Sequence, residues 1–74
     1  MDSDLEQYLP FVKAVAKRYA EDEGQITELI SAGWWGLLEA REKFDERSGV
    51  RFITYAVWYI RRSILSYLQD KEKV

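Results

Sequence analysis

Three basic and five aromatic residues are interleaved between Arg51 and Leu68, in the segment RFITYAVWYIRRSILSYL. Aromatic rings stack on bases of any identity, worth about 1–3 kcal/mol per base, and guanidinium groups neutralise phosphates. The segment is therefore suited to single-stranded nucleic acid. The same spacing is also typical of rings that complete a small core or form a dimer seam. Spacing alone leaves both interpretations open.

This segment has the pattern of one amphipathic helix. At 3.6 residues per turn, its apolar stripe consists of Ile53, Ala56, Ile60, Ile64 and Leu68. A second row lies outside that stripe and consists of Tyr55, Trp58 and Tyr59, with Arg51, Arg61 and Arg62 nearby. Because one stripe is enough to pack a helix, the second row is surplus to folding. We predict that its rings lie outside the hydrophobic interior.

The N-terminal part of the chain supplies the first elements that position this helix. Ser3 and Glu6 have the spacing of a capping box. Pro10 predicts either a short first helix that ends near Leu9 or a kink there, because proline removes a backbone donor. An apolar period of three and four then predicts a helix from Phe11 to about Ala20.

The middle and end of the chain predict two longer helices. A charged break from Glu21 to Gly24 precedes a helix that begins at Gln25 or Thr27 and ends at Phe44. After a turn over residues 45–51, Thr54 is predicted to cap the last helix, which ends at Gln69 or Asp70. The sequence thus predicts an all-α fold, one domain over residues 1–74, as a compact bundle of three main helices or four segments. Residues 70–74 are expected to fray.

The predicted middle helix contains two features that need partners. Gly33, Gly36 and Ala40 form a flat strip on which another helix could lie close, which would compensate for the roughly 1 kcal/mol that each interior glycine costs. Trp34 and Trp35 lie about 100° apart on a helix and cannot both point into one core. We expect at least one of the two indoles to face solvent or a partner.

Composition narrows the classes of function. The 74 residues include no cysteine and no histidine, so the usual thiolate and imidazole ligands and general bases are missing. The acidic residues Glu39, Glu42, Asp45 and Glu46 resemble an ordinary solvated surface, and we expect neither an enzyme nor a cofactor or metal. The acidic N-terminus and the lack of a long apolar run predict a soluble cytoplasmic protein without a membrane segment.

The charge is unevenly distributed although the net charge is only −2. Residues 1–32 contain seven acidic and three basic residues, whereas residues 41–62 contain six basic and three acidic residues. Any contact with nucleic acid is therefore expected in the second half of the chain.

The run ELISAGWWGLLEAREKFDERSGVRFITYAVWYIRRSI resembles the second region of bacterial sigma factors, the promoter-recognition subunits of RNA polymerase. The family pattern reads roughly D-L-I-Q-E-G, then G-L-x-x-A-x-x-K-F-D, then F-x-T-Y-A-x-W-x-I-R. The similarity extends from about Leu5 to Leu68, and the KFD and FxTYAxWxIR motifs at their correct spacing are specific.

The resemblance implies a helical domain with two partners. Its middle helix would dock on the clamp helices of the largest subunit of RNA polymerase core, through Glu28, Leu29, Ser31, Ala32 and Trp34. Its aromatic helix would capture the non-template strand of the minus-ten promoter element and flip an adenine from the duplex. The DNA-contacting positions carried over in this way are Phe44, Asp45, Arg51, Phe52, Thr54, Tyr55, Trp58, Tyr59, Arg61 and Arg62.

Several residues depart from the family pattern. Ser31, Ala32 and Trp34 replace three polar residues near the expected contact with core polymerase. Arg62 and Leu65 replace a glutamine and a threonine at the upstream base of the element, where an arginine favours guanine. Ser48 replaces a basic residue beside the adenine pocket. We therefore expect altered docking and an altered base preference.

Two alternatives follow from the same resemblance. The family's fourth region, which reads the upstream promoter element, is not in these 74 residues. The chain is then either an excised domain or a short protein that works with a separate polypeptide. A rival hypothesis is a sigma-like interaction module that binds an anti-sigma factor or another regulator without touching DNA.

Overall fold

Four α-helices and two short 3₁₀ turns make up the computed structural model, which describes residues 2–72 and the side chains from Asp4 onward. The helices are α1 (Asp2–Leu5), α2 (Leu9–Tyr19), α3 (Glu23–Lys43) and α4 (Phe52–Glu72), with 3₁₀ turns at Glu6–Tyr8 and Glu46–Ser48. The described residues contain no strand. The predicted all-α bundle of three main helices is therefore confirmed, with α1 as a short fourth piece.

The position of Pro10 explains the break before α2. Because α1 ends at Leu5 and the Glu6–Tyr8 turn follows, Pro10 lies in the first turn of α2. The N–H that proline lacks would have no partner within α2 at this position, so proline is tolerated there. The predicted short first helix is confirmed, although it ends four residues before Leu9. The predicted capping box stays untested because the side chain of Ser3 lies outside the described residues.

Helix α3 begins earlier than the sequence pattern indicated. Asp22 caps it, and its Oδ1 accepts a hydrogen bond from the backbone N–H of Gln25 at 2.8 Å. In return, the backbone N–H of Glu21 donates to Oε1 of Gln25 at 2.7 Å. Gly24 is therefore a first-turn helical residue and does not close the preceding break.

The turn between α3 and α4 depends on one left-handed residue. Gly49 has φ +82°, a conformation that costs little only without a Cβ. The carbonyl of Arg51 then accepts hydrogen bonds from the backbone N–H groups of Thr54 and Tyr55, at 3.1 and 3.3 Å. The prediction that Thr54 caps α4 is wrong, because the helix begins at Phe52 and Thr54 already lies in its first turn.

The hydrophobic core lies where α3 crosses α4, with α2 covering one side. Ala56, Ile60 and Ile64 of the predicted α4 stripe are fully buried and Leu68 packs against the core, whereas Ile53 is only half-buried and does not belong to the core cluster. A Cβ at Gly33 would lie 2.9 Å from Cγ1 of Val12, and a Cβ at Gly36 would overlap the backbone carbonyl of Tyr59. The predicted packing role of the glycine strip is thus confirmed, since α4 lies directly on it.

The C-terminal part of α4 is fastened to α3. Lys71 Nζ lies 2.8 Å from Oε1 of Glu28, and Oη of Tyr67 donates to the same oxygen at 3.1 Å. Residues 70–72 are helical, and the predicted fraying of residues 70–74 stays a prediction; Lys73 and Val74 lie outside the described residues. None of the helices in the described part of the chain is both long and apolar enough to cross a membrane.

Candidate nucleic-acid interface

Five aromatic rings from three parts of the chain lie side by side across one edge of the bundle, and we call them the aromatic row. Neighbouring ring centroids are 5.1–5.3 Å apart. The order is Tyr8, Phe52, Phe44, Tyr55 and Tyr59. Such tilted and edge-on pairs are favourable ring geometries, so the row stabilises its own arrangement.

The aromatic row is half-buried, and all of its members pack against the core or, for Phe44, against the row itself. The prediction that the rings of the second row lie outside the hydrophobic interior is therefore wrong for Tyr55 and Tyr59, because each covers the edge of a small core. Half-burial leaves part of each ring accessible to a ligand. The sequence suggested either rings that complete the core or rings that bind a ligand, and both descriptions apply to these side chains.

The hydroxyl groups of Tyr55 and Tyr59 join the two rings at one end of the row. Oη of Tyr55 donates to Oη of Tyr59 at 3.0 Å, across a centroid distance of 5.1 Å. This hydrogen bond, assisted by desolvation, raises the pKa of Tyr55 above its ordinary value of 10.0. Nζ of Lys43 lies 5.9 Å from the centroid of the Tyr59 ring. The row thus ends beside a cation from α3.

An exposed stripe runs along α4 beside the row. Trp58 is 63% exposed, and the guanidinium of Arg61 lies 4.9 Å from the centroid of its ring. A shallow groove on this stripe is lined by Trp58, Arg61, Arg62, Leu65, Ser66 and Gln69. Trp58 and the neighbouring Tyr59 therefore face different surroundings, as adjacent helical residues must.

The remaining predicted DNA-contacting residues surround the start of α4. Arg51 and Thr54 are exposed beside the half-buried ring of Phe52. Asp45 is exposed, but its Oδ1 already accepts a hydrogen bond from the backbone N–H of Arg47 at 2.9 Å. Asp45 therefore has a local capping role in the turn after α3, in addition to any role towards a ligand.

Sequence reasoning missed the contribution of the N-terminal segment. Tyr8 contacts Phe52 and so extends the row, and a cleft beside these rings is also lined by Leu5, Gln7, Phe44 and Val50. Tyr8 is distant from α4 in the sequence, so no local spacing could have indicated this contact. Among the described residues, no group of acidic side chains is arranged to hold a metal ion.

The predicted docking surface on α3 needs correction. Leu29 is fully buried, and Ala32 is buried with its carbonyl accepting a 2.6 Å hydrogen bond from Oγ of Ser63. Leu29 is inaccessible to a partner and Ala32 nearly so, because both belong to the core cluster. Ser31 and Glu28 are exposed, although Glu28 is bound by Tyr67 and Lys71. The last two contacts lower the pKa of Glu28.

The two tryptophans of α3 divide between interior and surface. Trp34 is half-buried and packs against the core, whereas Trp35 is 70% exposed. Trp35 borders two shallow grooves, one on α3 with Leu38 and one between α3 and α4 with Arg62. The expectation that at least one indole faces outward is confirmed. The outward-facing indole is that of Trp35, which the family resemblance had not placed among the docking residues.

Comparisons of the chain with a family model and with curated proteins indicate the same family. The family model for sigma-70 region 2 matches residues 5–74. The RNA polymerase principal sigma factor HrdD of Streptomyces coelicolor is 40% identical over 72 residues, covering 97% of this chain and 22% of the relative. The RNA polymerase sigma factor SigA of Lactococcus lactis subsp. cremoris is 40% identical over 68 residues, covering 92% of this chain and 19% of the relative.

A third relative extends the same result to another bacterial group. The RNA polymerase sigma factor SigA of Nostoc sp. is 36% identical over 72 residues, covering 97% of this chain and 18% of the relative. No solved structure matches the chain. The chain spans about a fifth of the length of these curated relatives. The chain belongs to the sigma-70 region 2 family.

Proposed function

We propose that this domain docks on RNA polymerase core and recognises the minus-ten element of a promoter by capturing its non-template single strand. It acts as a binding protein and not as an enzyme. Family membership supports the polymerase role. The aromatic row, which lies beside the exposed stripe of Trp58 and Arg61 on α4, supports strand capture. The observation that carries the proposal is the juxtaposition of Tyr55 and Tyr59 with the exposed Trp58–Arg61 pair on one helix.

The charge of Arg51 and of α4 as far as Gln69 favours a polyanionic ligand. From Arg51 to Gln69 the segment contains three arginines and no acidic residue, in a chain whose net charge is −2. Arg51, Arg61 and Arg62 are all exposed. A purely structural helix has no need for this one-sided charge, whereas a helix that follows a phosphate backbone does.

Local opening of the duplex is energetically feasible on this surface. Unstacking a base costs a few kcal/mol, and each stacking contact returns about 1–3 kcal/mol. Trp58 offers an exposed ring, and Tyr55 and Phe52 offer the accessible parts of two more. Two or three such contacts offset the cost of one flipped base, so strand capture needs no nucleotide hydrolysis.

Strand binding is tested with a fluorescent single strand of minus-ten-like sequence, with and without core polymerase. Tyr55→Ala and Trp58→Ala should each weaken binding by about 5- to 150-fold, the equivalent of one lost stacking contact. The affinity should fall steeply as salt rises. Trp35→Ala is the matched control, because it removes a similarly exposed indole from α3. In the absence of core polymerase, this variant should bind the single strand as tightly as wild type.

The competing hypothesis is a module that binds an anti-sigma factor or another regulator and no DNA. The exposed Trp35 favours it, because an accessible tryptophan is typical of a protein-binding hot spot. If the single strand shows no affinity under any condition, while Tyr55→Ala or Trp58→Ala abolishes capture of a purified protein regulator, this alternative replaces the DNA-binding proposal.

A further inference from the structure

Tyr59 is held from several directions by contacts with both α3 and α4. Its backbone carbonyl lies where a Cβ at Gly36 would be, so the two helices touch at this residue. Lys43 reaches over its ring from α3, and Lys43 is itself tied to Oε2 of Glu39 at 3.1 Å. At the far end of the ring, its hydroxyl accepts the hydrogen bond from Tyr55.

We infer that Tyr59 is a positioning residue that fixes the ring of Tyr55 for stacking, and that it does not itself stack on a base. This inference rests on the proposed capture of a single strand. It differs from the role that the family pattern assigns to this position, which is a direct contact with DNA. The contact that carries it is the 3.0 Å hydrogen bond between the two hydroxyl groups.

The surroundings of Tyr59 leave little room for a base. Lys43 lies over the ring within cation–π range, and the ring of Tyr55 lies against it at a tilt of 46°. A stacked base would have to displace one of these neighbours. Tyr55 lies between the rings of Phe44 and Tyr59 in the row.

A fixed ring binds a base more tightly than a mobile one, because less freedom is lost on binding. Phe44 supports one side of Tyr55, and the hydroxyl of Tyr59 fixes the tip of the ring. The backbone of Tyr59 packs on Gly36, so this end of the row lies where α4 meets α3. The hydroxyl of Tyr59 thus contributes to binding without touching the strand.

Tyr59→Phe separates the two roles, because it keeps the aromatic ring and removes only the acceptor. If the hydroxyl positions Tyr55, the variant binds the single strand about 2- to 10-fold more weakly, the range expected for one lost hydrogen bond. The same change should have no further effect in a chain that already contains Tyr55→Phe, because both variants remove one shared contact.

A spectroscopic readout distinguishes this positioning role from a general loss of packing. The hydrogen bond from Tyr55 to Tyr59 raises the pKa of Tyr55. In Tyr59→Phe the pKa of Tyr55 should fall towards 10.0, as followed by tyrosinate absorbance during a pH titration. The matched control is Tyr19→Phe, which removes a hydroxyl on α2, outside the row, and should alter neither the affinity for the strand nor the pKa of Tyr55.

Each outcome has a defined meaning. Weaker binding by Tyr59→Phe, absent in the Tyr55→Phe background and accompanied by the lower pKa, supports the inference. Wild-type affinity in Tyr59→Phe, an additive effect with Tyr55→Phe, or an unchanged pKa of Tyr55 overturns it while leaving strand capture intact. A wild-type chain that binds no single strand, alone or with core polymerase, overturns the proposed function and this inference with it.

Discussion

The backbone carbonyl of Tyr59 occupies the space that a Cβ at Gly36 would need, so α4 rests directly on α3 at this point. Gly36 lies on the helix that carries the candidate docking surface, and Tyr59 lies on the helix that carries the aromatic row. The crossing therefore fixes the two candidate binding surfaces relative to each other. Any side chain at position 36 would have to separate them.

Gly36→Ala should destabilise the domain severely. The added Cβ would overlap the carbonyl of Tyr59 and approach Cβ of Ser63 at 2.9 Å, and backbone atoms cannot rotate away as side chains do. We expect a loss of about 3 kcal/mol or more in the free energy of unfolding, measured by urea denaturation. Gly24→Ala is the matched control. Its Cβ would approach only Oδ1 of Asp22, at 3.4 Å, so stability should be retained, and equal losses in both variants would contradict the packing argument.

Ser63→Ala should remove a polar contact that spans the same crossing. Oγ of Ser63 donates to the carbonyl of Ala32 at 2.6 Å, in a half-buried position. Its loss should cost about 1 kcal/mol, because the carbonyl of Ala32 would lose this partner in a partly desolvated place. Ser66→Ala, at an exposed position on the same helix, should have little effect. Identical denaturation midpoints for Ser63→Ala and wild type would show that the bond does not contribute.

The sequence predicted the fold where a strong period was present. The stripe of Ala56, Ile60 and Ile64 and the small residues at 33 and 36 were both placed correctly, because apolar period and side-chain volume directly determine how two helices pack. Helix starts were less predictable. The starts of α3 and α4 depend on hydrogen bonds to Asp22 and to the carbonyl of Arg51, and the apolar period of the sequence contains no information about such bonds.

The candidate site was harder to predict than the fold, because a helical period does not indicate which partner covers each face. Leu29 and Ala32 were assigned to a docking surface by position in a motif, yet both lie in the core. The partition between Trp34 and Trp35 depends on how α3 is rotated about its axis, and that rotation is set by α2 and α4. Tyr8 joined the row only through tertiary contact.

The ion pair between Glu28 and Lys71 should make stability depend on pH in a defined window. Contact with Lys71, assisted by Tyr67, lowers the pKa of Glu28 below its ordinary value of 4.5, so its contribution is present above that value and is lost as pH falls through the lowered pKa. The pKa of Lys71 is raised above 10.5, so its contribution is present below that value and is lost as pH rises through the raised pKa.

Lys71→Met tests this window. The variant should melt at a slightly lower temperature than wild type at pH 7 and low salt, because the pair is exposed and its contribution is small. The difference should disappear at acidic pH, once Glu28 is protonated, and should also shrink in high salt. A difference that persists unchanged at acidic pH would show that packing of the Lys71 stem, and not its charge, is responsible.

Arg61→Ala should alter the salt dependence of strand binding. Arg61 is exposed and lies 4.9 Å from the ring of Trp58, where it can neutralise a phosphate next to a stacked base. Loss of one phosphate contact should reduce the slope of log affinity against log salt concentration by about 0.7 for a single strand. Arg18→Ala, an equally charged change on the exposed side of α2, should leave the slope unchanged. If Arg61→Ala and wild type show the same slope of log affinity against log salt concentration, Arg61 does not contact a phosphate.

The two tryptophans of α3 should respond differently to removal. Trp35→Ala deletes a side chain that is 70% exposed, so we expect normal stability and at least a tenfold loss of affinity for core polymerase in a pull-down or binding titration. Trp34→Ala deletes a half-buried ring that packs against the core, so we expect a loss of about 2 kcal/mol or more in the free energy of unfolding. The structure therefore predicts that Trp35→Ala lowers the affinity for core polymerase, whereas Trp34→Ala lowers the stability of the fold. If Trp34→Ala abolishes docking at full stability while Trp35→Ala docks normally, α3 presents a different face to its partner from the one described.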